Sequence, residues 1–422
     1  MAQKVELNRT LGLWEVTLSG IGIILGAGIY ALIGEAAALA GNAVWIAFAL
    51  SAIVAVFTGL SYAELSSMYP KASAEYEYTA QAFGRLIAFV IGWLIIFSGM
   101  IGAATVALGF AGYFQALFGA PIISSALILI MTLSLIIFIG IRQSALIAII
   151  FTIIEALGLI IIILLGIPYF GSVNYLEMPL GPHGIFQAAA LIFFAFMGFE
   201  EIVKLAEEAK EPERTIPLGL ILAISGSIVL YILISFSAVS LLGWQELSRS
   251  SAPFADIAFA AFGRNAYIIL SVMALFATTN TVLLMILASS RIIYGMAESS
   301  SLPRVLASVH PSTRTPWAAI ALTMIVSMAF VFLGDIAFVA NINNFTIFVT
   351  FIIVNAALIV LRYKKPEIHR PFKVPISIGL LPVLPVFGLA LNIFMLVQLS
   401  LEVLAIGLVL TFIGIIIAVI RR

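Results

Sequence analysis

Twelve apolar stretches, each long enough to make about 20 residues of helix, leave this chain one environment in which it can fold. They run near 11–37, 42–66, 84–113, 121–141, 144–168, 184–205, 216–242, 265–295, 316–334, 336–362, 376–397 and 402–420. A hydrocarbon core about 30 Å thick is crossed by helices of that length, because a helix satisfies its own backbone polar groups where no water can. Composition agrees: 63% of residues are hydrophobic and 9% are charged, too few polar groups to clothe a water-soluble surface. The expected fold is an all-α membrane protein with about 12 transmembrane helices. The first stretch runs on to full span length, so it does not read as a cleavable leader.

Cationic residues orient the spans. If the N-terminus is cytoplasmic, every Lys and Arg except Arg249 and Arg264 falls on the cytoplasmic side, as the positive-inside rule requires. The expected location is therefore a plasma membrane, multi-pass, with both termini inside. Lys plus Arg and Asp plus Glu each number 20, and this balance gives no reason to expect nucleic-acid binding. With no cysteine there is no disulfide or thiolate metal site, and His183, His310 and His369 all fall in expected loops, so no cofactor and no firm metal site is anticipated. Cytoplasmic connections at 67–83, 204–215, 298–315 and 363–375 are charged and punctuated by proline, and the outer connection 243–264 holds an amphipathic pattern, Ala252–Gly263. That pattern reads equally as a lid over a cavity or as a helix lying at the interface.

Two spans carry interruptions. Span one reads Gly20-Ile-Gly22-Ile-Ile-Leu-Gly26-Ala27-Gly28-Ile29-Tyr30, and span six reads Phe193-Phe194-Ala195-Phe196-Met197-Gly198-Phe199-Glu200-Glu201. Glycine is also a packing surface between membrane helices, which Gly22-x-x-x-Gly26 fits. The positions add a second meaning. Spans one and six are five apart, an odd number, so a five-span repeat would be inverted, and broken first helices in inverted repeats mark a transporter architecture. The expected organisation is one membrane domain: a first repeat over 1–168, a second over 184–362, and two accessory helices over 376–420, with helices 1 and 6 discontinuous.

The motifs along the chain resemble those of the amino acid–polyamine–organocation superfamily, with its leucine-transporter-like 5+5 inverted repeat. The similarity is carried by Gly26-Ala27-Gly28-Ile29-Tyr30, by Tyr62-Ala-Glu64 through Tyr69-Pro70-Lys71 to Ala82-Phe83-Gly84, and by Phe194-Ala-Phe-Met-Gly198-Phe199-Glu200 with Glu207-Glu208 to Pro217. It continues through Ser290-Arg291 to Thr315-Pro316 and Leu361-Arg362-Tyr363 to Pro375. The resemblance implies a permease for amino acids working by alternating access. By position, Gly26, Ala27, Gly28 and Ile29 would hold the substrate carboxylate through backbone N–H groups, and Phe194, Ala195 and Met197 would offer carbonyls to its ammonium. Phe194 or Phe199 would gate the site, although core packing is the stronger reading for Phe199. The physics agrees, since a helix opened at mid-depth exposes N–H groups on one side of the break and carbonyls on the other.

Acids inside the membrane cost about 2.5–3.5 kcal/mol on insertion scales and usually serve function. Glu155 in span five and Glu200 and Glu201 in span six qualify, whereas Glu35 and Glu64 read as solvated end groups. Some members of the superfamily carry a lysine at the place of Glu155; an acid here instead suits binding a proton, or Na⁺ together with Thr278 and Thr279. A protonated structural carboxyl is the competing reading. Glu200 is a coupling candidate beside the break, Glu201 points about 100° away, and Asn341, Asn343 and Asn344 read as interface polar residues or cavity lining. H⁺ coupling is the primary expectation, with Na⁺ symport or exchange as alternatives and a channel or non-transporting sensor as the alternative of another class. An enzyme is disfavoured because the spans hold no nucleophile–base or zinc-binding constellation. Span three has only Arg85 among charged residues, so neutral amino acids are the expected substrates.

Overall fold

The computed structural model describes residues 9–71, 73–140 and 144–420, with the backbone alone for 144–149. Lys4, Arg142, Arg421 and Arg422, which enter the orientation argument, lie outside the described residues, as does Ala72 of the first-loop motif. In chain order the helices are α1 (Leu13–Ile24), α2 (Gly28–Ala40), α3 (Val44–Met68), α4 (Ala74–Phe83), α5 (Arg85–Phe118), α6 (Ile122–Ile139), α7 (Ser144–Gly166) and α8 (Gly181–Ile192). There follow α9 (Phe199–Ile202), α10 (Pro212–Leu247), α11 (Pro253–Phe262), α12 (Arg264–Glu298), α13 (Trp317–Val331), α14 (Ile336–Lys364), α15 (Val383–Val397) and α16 (Leu401–Ile420). The chain is a multi-pass, all-α membrane protein; eight of its helical segments are long and apolar enough to cross a bilayer among the described residues. Shorter apolar helices, α1, α11, α13 and α15 among them, accompany these.

Helices α5 and α6 stop where glycine takes up positive φ, at Gly119 and Gly140. Gly119 ends α5 at φ 70°, and Gly243, at φ 70°, bends α10 near its C-terminal end. Around the centre, α5 packs along α12 and α14, α3 along α10, and α2 against α8. Small residues permit this closeness. A Cβ at Gly109 would sit 2.6 Å from the Cβ of Ala31, and one at Gly219 would sit 2.6 Å from Cγ1 of Val16.

Three sequence expectations are revised. The stretch expected to open a span at 376 instead forms a two-residue antiparallel ladder, Ser377–Ile378 with Leu381–Pro382, and helix begins at Val383. Ile376 and Gly379 both take positive φ there, which a helix excludes. His183 stands in the first turn of α8 rather than in a loop, although it remains exposed. The largest revision concerns Glu64, which is fully buried (0% exposed) and not a solvated end group.

Glu64 is the centre of a buried ionic clamp. Arg362, itself 2% exposed, donates from Nε to Oε1 at 2.9 Å and from Nη2 to Oε2 at 2.5 Å. The Val374 N–H donates to Oε2 at 2.7 Å, and Arg370 Nε lies 3.3 Å from Oε1. Arg362 Nη1 also donates to Ser377 Oγ at 2.6 Å. The segment after α14 thus folds back beneath the end of α3 and shuts out the water that proximity to a span end had suggested. Both charges are desolvated, so the pair is held by its bidentate geometry and extra donors. Glu64→Ala is expected to destabilise the fold by about 3–5 kcal/mol, because it strands the buried guanidinium, while Glu64→Leu combined with Arg362→Met recovers most of the loss. Thermal unfolding in detergent reads this; equal losses in the single and double variants would mean that side-chain packing, not charge pairing, matters there.

Candidate functional site

Both interrupted spans are open. Helix α1 ends at Ile24, with the Leu25 N–H closing its last turn onto the Ile21 carbonyl at 2.8 Å, the chain turns through residues 25–27, and α2 starts at Gly28. In span six, α8 ends at Ile192, a 3₁₀ turn covers Phe193–Phe196, Met197 is extended (φ −60°, ψ 149°), and α9 starts at Phe199. Gly198 sits between them at φ 112°, where a Cβ would also fall 2.9 Å from Cγ2 of Ile23. The two breaks touch: a Cβ on Gly28 would lie 2.9 Å from Cα of Ala195 and 3.1 Å from Cδ1 of Phe194. Only glycine permits that approach.

Side chains from neighbouring helices take up part of the freed backbone. The Tyr231 hydroxyl, on α10, lies 2.5 Å from the Ile24 carbonyl and 2.8 Å from the Ala195 carbonyl, so one donor serves both breaks. Asn344 on α14 donates to the carbonyls of Ala190 (2.8 Å) and Leu191 (2.9 Å) at the end of α8. The Ala27 N–H donates to Thr281 Oγ1 on α12 at 3.1 Å. The Met197 N–H donates to the Phe194 carbonyl at 3.3 Å. Carbonyls have two acceptor lone pairs, so those of Phe194 and Ala195 can still receive a second donor. The first N–H groups of α2 have no preceding turn to pair with, and the half-helix dipole makes them an anion-favouring end. A group with an anionic and a cationic part placed on one carbon suits this pair of ends.

Exposure at the breaks is one-sided. Gly22, Ile23, Gly26, Met197 and Gly198 are partly exposed, whereas Ala27, Ile29, Tyr30, Leu32 and Ile33 are fully buried. The α2 side is shut by α11, whose Phe254 ring lies 4.7 Å from that of Tyr30. The amphipathic pattern at Ala252–Gly263 forms α11, which packs its Phe254 against Tyr30 at the start of α2 and leaves Phe259 and Phe262 exposed. Tyr113 reinforces the contact, donating to the Tyr30 carbonyl at 3.0 Å and accepting from the Phe254 N–H at 3.3 Å. Phe194 is 3% exposed and lies against Gly28. Phe199 is fully buried, 5.8 Å from the Tyr62 ring and 5.1 Å from Phe351, a packing position.

Glu155 lies on α7 facing these elements, 2% exposed, and its Oε1 has no hydrogen-bond partner. Its backbone carbonyl accepts from the Tyr30 hydroxyl at 2.7 Å, which joins α7 to α2. One turn earlier, Thr152 accepts from Asn280 Nδ2 at 3.3 Å, and Asn280 Oδ1 is likewise buried and unpartnered. Thr278 is buried with its hydroxyl donating to Ala274 O at 2.7 Å, and Thr279 is partly exposed. No Lys or Arg forms a salt bridge to Glu155 among the described residues. Glu200 is also buried and caps the start of α9, accepting from the Gly198 N–H at 2.9 Å. Glu201 pairs with Lys204. Nearby, in the connecting helix α4, burial pushes the Glu75 carboxyl above its ordinary range while Lys204 pulls it down.

Gly26, Ala27, Gly28, Ile29, Phe194, Ala195 and Met197 thus occupy two touching breaks, and Glu155, Thr278 and Thr279 sit on the adjoining α7 and α12. Sequence reasoning passed over Tyr231, Thr281 and Asn280. Each is a polar residue in an apolar span, as in Val229-Leu230-Tyr231-Ile232, but nothing in one sequence says which break such a residue meets. In the sequence Asn344 stands as one of three asparagines at the start of span ten.

Comparison with known proteins shows which sequences this chain is similar to. A family profile described as amino acid permease matches residues 11–420. The branched-chain amino acid permease BcaP of Bacillus subtilis is 30% identical, over 98% of this chain and 92% of its own length. The methylthioribose transporter of the same organism is 31% identical over 91% and 87%. Human cationic amino acid transporter 4 is 29% identical over 86% of this chain and 61% of its own length.

Tyr231→Phe deletes the donor shared by Ile24 and Ala195 and leaves two buried carbonyls short of a partner. The expected loss is about 1–3 kcal/mol of stability, read as a lower melting temperature in detergent. An unchanged melting temperature would show that the carbonyls do not depend on this hydroxyl.

Proposed function

The chain belongs to the amino acid permease family, and we propose that this amino acid transporter carries neutral amino acids by alternating access around its two helix breaks. It is a transporter and not an enzyme. The observation that carries the reading is the contact of Gly28 with Ala195, which sets the anion-favouring start of α2 beside the loosened carbonyls of span six. The substrate carboxylate takes the N–H groups of Gly26, Gly28 and Ile29, with Ala27 held by Thr281, and the ammonium takes the carbonyls of Phe194, Ala195 and Met197. Phe194 is the gate. Phe199, fully buried among Tyr62 and Phe351, packs.

The proposed topology counts twelve spans: α1 with α2, α3, α5, α6, α7, α8 with α9, α10, α12, α13, α14, α15 and α16. The first five and the next five form inverted repeats within one membrane domain, with both termini cytoplasmic in a plasma membrane. In that frame the partly exposed half of the site, next to α1 and α9, faces inward, and α11 covers the outer half. For the substrate class, span three offers no acid to balance a second positive charge, and Met197 and Phe194 make an apolar surround.

Coupling is assigned to Glu155, with Glu200 as a second proton site. A buried carboxyl with an open Oε1 and no ion-pair partner among the described residues favours holding a proton. Thr278, Thr279 and Asn280 on α12, which packs along α7, offer the oxygens a Na⁺ ion would use instead, and exchange without an ion is the remaining mode.

Uptake of radiolabelled amino acids into proteoliposomes tests the reading. Saturable uptake, competed by unlabelled neutral amino acid and driven by an inward proton gradient, is expected. Glu155→Gln is expected to abolish the gradient-driven component while leaving substrate binding in place; unchanged pH and Na⁺ dependence would remove Glu155 from coupling. Flux that does not saturate would instead indicate a channel. Saturable uptake of methylthioribose without amino acid uptake would shift the substrate to the class named for one relative.

A further inference from the structure

Away from the breaks, a cavity of about 400 Å³ opens on the flank of the bundle, between α5, α12, α13, α16 and the connection that follows α12. Trp93, Met100, Ile293, Leu306, Val326 and Ile417 line it, and the rest of its lining is equally apolar. It opens outward, since two further lining residues, Leu322 and Ile420, are 36% and 78% exposed. The polar groups in its walls are already used: Trp93 Nε1 donates to the Leu410 carbonyl at 3.0 Å, and Ser327 Oγ donates to the Met100 carbonyl at 2.9 Å. The Trp93 ring is fixed from behind, for a Cβ on Gly414 would lie 2.6 Å from it. A recess of this kind has nothing to offer water, and its occupant must be hydrocarbon.

Charge at the rim narrows the occupant further. Pro303 and Leu306 both line the cavity, and Arg304 between them is exposed and forms no salt bridge among the described residues. The connection 299–316 holds Arg304 and Arg314 and no Asp or Glu. An apolar slot with an exposed arginine at its edge, at a membrane interface, complements a lipid with an acyl tail and an anionic headgroup.

We infer that this flank is a binding site for one anionic phospholipid, with an acyl chain in the cavity and its phosphate at Arg304. The inference depends on the chain spanning a membrane and not on what it transports. The full chain, delipidated in neutral detergent, is titrated with phosphatidylglycerol and with phosphatidylcholine of matched chains, and retention is read by native mass spectrometry. Phosphatidylglycerol is expected to bind more tightly, and Arg304→Gln is expected to weaken it about fivefold while leaving phosphatidylcholine unchanged. Val326→Trp, which fills the slot, is expected to remove the bound lipid; should that variant unfold, Leu306→Phe on the connecting turn makes the same test. Equal retention of the two lipids by the unaltered chain, lipid retention that survives a filled cavity, or a second copy of the chain seated on this flank would overturn the site.

Discussion

Everything at the centre of this molecule follows from one requirement: in hydrocarbon, each backbone N–H and carbonyl must find a partner, and two helices here give up their own. The cost is met by side-chain donors and acceptors from other helices. Tyr231 serves Ile24 and Ala195 together, Asn344 serves Ala190 and Leu191, and Thr281 accepts from Ala27. These contacts draw α10, α12 and α14 around spans one and six. A site made from opened backbone therefore also organises its surroundings, because the same groups that would meet a substrate hold the scaffold in register.

Charge is treated in two opposite ways. At the end of α3, Glu64 is buried with every oxygen engaged by Arg362, Val374 and Arg370, which makes it a fastening. Glu155 is buried to a similar degree with Oε1 unengaged and no Lys or Arg in a salt bridge to it among the described residues. A carboxyl left open beside a site suits gain and loss of a proton or an ion, whereas a fully engaged one resists both. The two residues are the same amino acid in membrane-buried helices; their partners alone separate a structural role from a proposed coupling role.

Close approach depends on side-chain absence. Gly28 lets span one rest on the Ala195 backbone, and Gly198 supplies a left-handed turn against Ile23. The seal on the α2 side is instead aromatic, with Phe254 on Tyr30 and Tyr113 bridging them. Openness is therefore confined to the α1 and α9 half, an asymmetry suited to a carrier that exposes its site to one side at a time.

Hydrophobic length and cation placement in the sequence were enough to establish a multi-helix membrane protein. Glycine clusters were enough to locate both interruptions, because helix breaking is a local property of Gly26-Ala27-Gly28 and Met197-Gly198. Motifs in order along the chain were enough to identify the family. What lay outside the sequence was pairing between residues far apart in it. Glu64 looked solvated because its partner Arg362 is 298 positions away, and Tyr231 looked like one more aromatic in a span because the carbonyls it serves belong to other helices. The ladder at 377–382 was read as helix because its apolar composition outweighed the positive φ of Ile376 and Gly379, which no composition reveals. Burial and hydrogen-bond partnership are set by which helices meet, and only the packed tertiary structure decides that.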